Sequence, residues 1–152
     1  MDMNKEHILE KEIDLIQGCI NRMAHNSFVV KGWTISLVSV VLALLPENFN
    51  IRLLCILGVI VCGCFWYLDA YFLKMERLYR FKYEWIIEKR LTTNKFSYNL
   101  NPMNKYMWLN EKEVKNKTCL GKIMFSKTLC AIYLPIMLLC LLMFINSFTN
   151  WI

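Results

Sequence analysis

Residues 28–73 read FVVKGWTISLVSVVLALLPENFNIRLLCILGVIVCGCFWYLDAYFL, two apolar runs joined at Pro46-Glu47-Asn48-Phe49-Asn50. A helix needs about 20 predominantly apolar residues to cross a bilayer, and each run approaches that length. The ionisable residues of the stretch, Lys31, Glu47, Arg52 and Asp69, sit in the turn or towards the ends of the runs. Residues 53–68 carry no charge, and as a helix they would extend roughly 24 Å at 1.5 Å per residue. The reading is a helical hairpin, with a first crossing over 28–45 and a second over 51–73. Lys31 lies three residues inside the first run, where a lysine can lift its ammonium to the headgroups while its stem stays in hydrocarbon. Trp33 suits the interfacial aromatic belt.

Working outward, residues 128–152 carry no charge at all. That predicts a third crossing over 128–148, kinked at Pro135 as membrane helices tolerate, with Trp151 near the interface. Upstream, Leu9, Ile13, Ile16, Ile20 and Met23 recur at 4-3-4-3 spacing with charges between them. This is a heptad seam on a helix over 4–25, and its apolar face must be buried against another helix or a second copy. Downstream, residues 74–90 contain neither Gly nor Pro, and Met75, Leu78, Tyr79, Trp85 and Ile86 keep helical spacing. Residues 91–127 are rich in Asn, contain Pro102 and read as a loop. The fold class is all-α: an integral membrane protein with three transmembrane helices and cytoplasmic helical extensions. At 152 residues it forms one domain. Hydrophobic residues make up 57%, above the roughly 45–50% of soluble domains, because the excess is gathered into these blocks.

The Lys and Arg distribution gives an orientation. Residues 1–31 hold Lys5, Lys11, Arg22 and Lys31, residues 74–127 hold thirteen, and residues 128–152 hold none. Both basic segments belong inside, so the N-terminus is cytoplasmic, three crossings follow, and the C-terminus is outside. The expected location is the inner (cytoplasmic) membrane. The first 27 residues mix both charge signs without an apolar core, which argues against a cleaved secretory signal. The net charge of +6 favours phosphate-bearing partners such as anionic lipid or a nucleotide.

Few residues offer chemistry. Equal distance from a tight turn means equal depth on a regular hairpin. Counting from the turn centre, Arg22 and Glu76 fall within about 1.5 Å in height, and Lys31 and Asp69 within about 4.5 Å. Arg22–Glu76 and Lys31–Asp69 are therefore candidate ion pairs, either fixing register or gating an ion path. Thr34, Ser36 and Ser39 are polar positions in an apolar run and candidate pore-lining residues; serine on a membrane helix equally suits packing against a neighbour. Arg77, Arg80 and Lys82 alternate with aromatics and suit anionic headgroups or an anionic ligand. The seven cysteines contain no Cys-x-x-Cys pair. Cys62-Gly-Cys64 lacks histidines to complete a metal site, and the bland role of a small apolar side chain fits. Arg22-Met-Ala-His25 is too tightly spaced for a HEPN-type ribonuclease. No phosphate loop, nucleophile elbow or specific nucleic-acid motif is present. The expectation is no enzyme, metal or cofactor.

Arg22-Met-Ala-His-Asn-Ser-Phe with Lys31-Gly-Trp33, and Tyr67-Leu-Asp-Ala-Tyr-Phe-Leu-Lys-Met-Glu-Arg-Leu-Tyr-Arg80, together resemble small bacterial membrane proteins. The layout over residues 8–90, a leading helix, a tight hairpin and a cytoplasmic continuation, is similar to the SLATT class of effectors. The third crossing departs from the two-span form of that class. The resemblance implies an oligomeric pore that depolarises the membrane in nucleotide-signalled anti-phage defence. The seam would then join subunits into a homo-oligomer, and the basic face would gather an anionic signal or a cytoplasmic protein partner. The other expectation is a non-conducting anchor or scaffold that recruits a cytoplasmic partner through residues 91–127.

Overall fold

The computed structural model describes residues 3–44 and 51–149. The turn at 46–50 and Trp151 lie outside the described residues. The described residues form α1 (Met3–Leu44), α2 (Ile51–Lys89), a 3-10 turn (Lys105–Met107), α3 (Glu111–Lys117), α4 (Leu120–Met124) and α5 (Lys127–Thr149), with no strand among them. Three of these helices, α1, α2 and α5, are long and apolar enough to cross a membrane by length and composition.

The helix expected over 4–25 and the crossing expected over 28–45 are one helix, α1. His25-Asn26-Ser27 offers neither the missing N–H of proline nor the backbone freedom of glycine that would end it. α2 likewise runs unbroken through Leu73 and Lys74. Contacts divide the described chain into two units, residues 3–26 with 71–123 and residues 27–44, 51–70 and 124–149. α1 and α2 each contribute one part to each unit, and α5 lies wholly in the second.

In the first unit, Ile16 (0% exposed) packs with Trp85, Ile86 and Met107, and Leu9, Ile20, Tyr83 and Leu100 close around them. The segment read as a loop over 91–127 is built structure. Its asparagines bind backbone two or three residues on: Asn99 Oδ1 accepts from Asn101 N, Asn101 Oδ1 from Met103 N, Asn104 Oδ1 from Tyr106 N, and Asn110 Oδ1 from Glu113 N. These are successive Asx turns and caps. α3 adds Glu111–Lys115 and Glu113–Lys117 pairs at i,i+4, in the orientation that supports a short helix. Val114 and Ile123 are buried in the same unit.

In the second unit, α1, α2 and α5 pack through Val30, Thr34, Cys55, Cys62, Trp66, Ala70, Leu129 and Tyr133, all buried. Trp66 stacks on Tyr133 with ring centroids 5.9 Å apart and 5° between planes. Its indole N–H donates to Met124 O at 2.9 Å, so the polar atom of this large side chain is satisfied. Pro135 lies inside α5.

Candidate functional site

Asp69 is 0% exposed, an acid buried between apolar helices. An unpaired carboxylate there would cost several kcal/mol, and its surroundings explain why it stays. Lys31 Nζ, on α1, stands 2.8 Å from Oδ2 and 2.9 Å from Oδ1. Ser27, one turn earlier on α1, donates its hydroxyl to Oδ1 and accepts from Lys31 Nζ at 2.6 Å. Tyr133, on α5, donates its hydroxyl to Oδ2 at 3.1 Å. The carboxylate thus accepts from three side chains, and the cluster ties all three long helices together.

Ser27 and Lys31 stand one helical turn apart and in contact, which raises the question of a serine nucleophile with a lysine base. Such chemistry needs a free amine to take the serine proton. Asp69 instead holds the lysine as an ion pair and takes the serine hydrogen bond itself. The arrangement neutralises charge and fixes the depth of three helices.

Arg22 and Glu76 are not brought together. Glu76 accepts from Arg80 one turn along, at 2.6 Å, while Arg22 Nη2 lies 3.9 Å from Cys19 Sγ. The i,i+4 partner on the same helix is always within reach, whereas a cross-helix partner requires the correct face as well as the correct height. Equal depth therefore does not decide this pair. Thr34 is also set apart from the other two polar positions: it is buried in its own chain with its hydroxyl on Val30 O, so it does not share a face with Ser36 and Ser39. Those two are exposed on α1, with the Ser39 hydroxyl satisfied by Ile35 O at 2.9 Å. Among the proposed anion contacts, Lys82 is 1% exposed and bonded to Asn101 O, which removes it from any headgroup. Arg77 donates to Lys117 O, and Arg80 is exposed on its pair with Glu76. The seam of Leu9, Ile13, Ile16, Ile20 and Met23 is covered in part by its own chain, since Leu9, Ile16 and Ile20 enter the core with Trp85 and Ile86. Ile13 and Met23 are half-buried.

A second charge cluster, which no spacing in the sequence announces, is buried in the first unit. Arg90 Nε donates to Glu12 Oε2 at 2.5 Å and Nη2 to Oε1 at 3.0 Å, a two-pronged pair with both side chains buried. Arg90 also donates to the carbonyls of Thr93 and Lys95, and Tyr98 N donates to Glu12 Oε1. Its guanidinium lies 5.6 Å from the Trp85 ring centre. Burial and the nearby Arg90 charge push the Lys82 ammonium down to about 8, partly offset by Glu12. The available signal was Glu12 itself, an acid placed between seam positions. Among the described residues no group of three or more His, Cys, Asp or Glu is placed to hold a metal ion. Compared with protein families, curated proteins and solved structures, the chain has no match.

Proposed function

We propose that this chain is a three-pass inner-membrane protein, N-terminus cytoplasmic and C-terminus outside, that assembles into a homo-oligomeric pore and acts as a SLATT-like effector in anti-phage defence. One observation carries the reading: Ser36 and Ser39 lie on a face of α1 that its own chain leaves uncovered, inside a run otherwise apolar enough to cross a membrane. Hydroxyls and small residues on a membrane helix are used against a neighbouring helix or a water-filled path. The three helices that meet at Asp69 leave that face uncovered within one subunit, and a ring of subunits would cover it. Arg77 and Arg80, on the basic cytoplasmic face, would meet an anionic signal.

A specific observation favours the second reading, a non-conducting anchor that recruits a cytoplasmic partner. Three of the five seam residues, Leu9, Ile16 and Ile20, are already packed with Trp85, Ile86 and Met107 of the same chain, which weakens the reason for oligomerising through the seam. The folded segment meanwhile displays Tyr106 at 80% exposed, stacked against Phe96. Current recording from reconstituted protein separates the two readings, since the pore conducts and the anchor is silent.

A further inference from the structure

The second unit contains a cavity of about 200 Å³. Its inner wall includes Thr34 from α1 and Cys55, Gly58 and Cys62 from α2, and its rim includes Leu42 and Leu57. The two rim leucines are exposed, so the cavity opens on the outer surface of the helices. A side-chain carbon at Gly58 would stand 3.3 Å from Cys140 Sγ, a tight contact, so glycine eases the approach of α5 to α2 here. The cysteines add little bulk around it, and the space beside them stays unfilled.

The wall decides what the cavity takes. A buried water needs two to four polar partners; among the described lining residues one hydroxyl is present, Thr34 Oγ1, and since it donates to Val30 O it offers a water no more than an acceptor. The cavity is therefore dry, and it exceeds the roughly 150 Å³ that accommodates a benzene. Leu54 to Cys62, which both line it, lie about 12 Å apart along α2, within the uncharged stretch 53–68. Given the three-crossing reading on which this rests, that level of the chain is hydrocarbon. The apolar molecules abundant there are lipid acyl chains.

We infer that this cavity is a lipid site, holding a segment of one acyl chain of a membrane phospholipid between α1, α2 and α5. A chain in this position fills what would otherwise be lost dispersion contact. It also makes the packing of the three helices sensitive to the lipid present.

The test uses the full chain in vesicles of phosphatidylethanolamine and phosphatidylglycerol doped with a phospholipid carrying a mid-chain diazirine. After illumination, adducts are mapped by peptide mass spectrometry. Adducts should concentrate on the segments containing Cys55–Cys62 and Cys140. They should fall to background in Cys55→Phe, which fills the cavity, and in Val38→Phe, a cavity-lining position of α1 only half-buried and so less apt to disturb folding. Adducts at Leu142, 64% exposed on α5, should persist in both. Labelling of Cys55 and Cys140 no stronger than at Leu142, and unchanged by either filling variant, would overturn the site and leave ordinary surface lipid. Absence of adducts everywhere, with release of the protein by alkaline carbonate, would overturn the membrane reading and the site with it.

Discussion

Lys31 and Asp69 show why a charge can be kept in an apolar helix packing. The pair is stable only as a pair: with Ser27 and Tyr133 supplying the remaining hydrogen bonds, neither charge is left bare. Removing one partner leaves the other uncompensated, which costs about 3 kcal/mol, the low end of the range for buried pairs because Lys31 is partly exposed. Thermal unfolding in mild detergent should show Asp69→Leu and Lys31→Met each lowering Tm clearly, with the double change less harmful than the two single losses added together. Strict additivity would mean that the pair does not act as a unit. The pair is legible in the sequence because height on a hairpin can be counted from its turn. Tyr133 is not, because no rule of spacing places a residue of a third helix against the other two. Lys82 makes the second case. Its ammonium is pushed down to about 8 in the folded chain, against about 10.4 for a free lysine. Between these values the unfolded chain binds more protons than the folded one, so stability rises with pH across that window, and the full penalty is present below it. Lys82→Met should therefore exceed the wild type in stability at pH 7, with the gap narrowing towards pH 10. A gap independent of pH would contradict the assignment.

At the scale of elements, uniform segments were readable and irregular ones were not. α5 carries an uninterrupted apolar run, and the apolar blocks of α1 and α2 announce themselves by composition alone. The merger of 4–25 with 28–45 into α1 was hidden, because a change from amphipathic to apolar composition resembles a boundary although no residue there stops a helix. Residues 91–110 hid their order for a different reason. Asx turns satisfy backbone groups locally and leave no periodicity to detect. Within this segment Phe96 and Tyr98 adopt positive φ, 60° and 56°, a conformation that costs an ordinary L-residue roughly 1–2 kcal/mol and that asparagine tolerates. Tyr98 is held there by its own N–H on Glu12, a backbone bond that asparagine at the position retains. Tyr98→Asn should stabilise the first unit by about 1 kcal/mol and slow amide exchange over residues 94–100. Faster exchange would mean that the tyrosine ring itself holds the segment.

For the whole molecule, α1 and α2 enter both units while α5 lies in the second: α1 carries Glu12 and Ile16 into the first and Lys31 and Thr34 into the second, while α2 carries Ile86 into the first, with Arg90 directly after its last residue, and Asp69 into the second. Each unit is built around its own ion pair, Glu12–Arg90 with both members buried in one and Lys31 with the buried Asp69 in the other. What the single chain leaves unused is the exposed α1 face with Ser36 and Ser39, and the proposed pore rests on it. The most direct test is single-channel recording of the purified full chain in planar bilayers of phosphatidylethanolamine and phosphatidylglycerol. Wild type and Ser39→Cys are compared before and after a charged, water-soluble methanethiosulfonate. The account predicts discrete conductance steps in both proteins and a fall in current after the reagent in Ser39→Cys alone. A bilayer that stays silent with both proteins incorporated and anionic nucleotides supplied on the cytoplasmic side would contradict it and leave the anchor in its place.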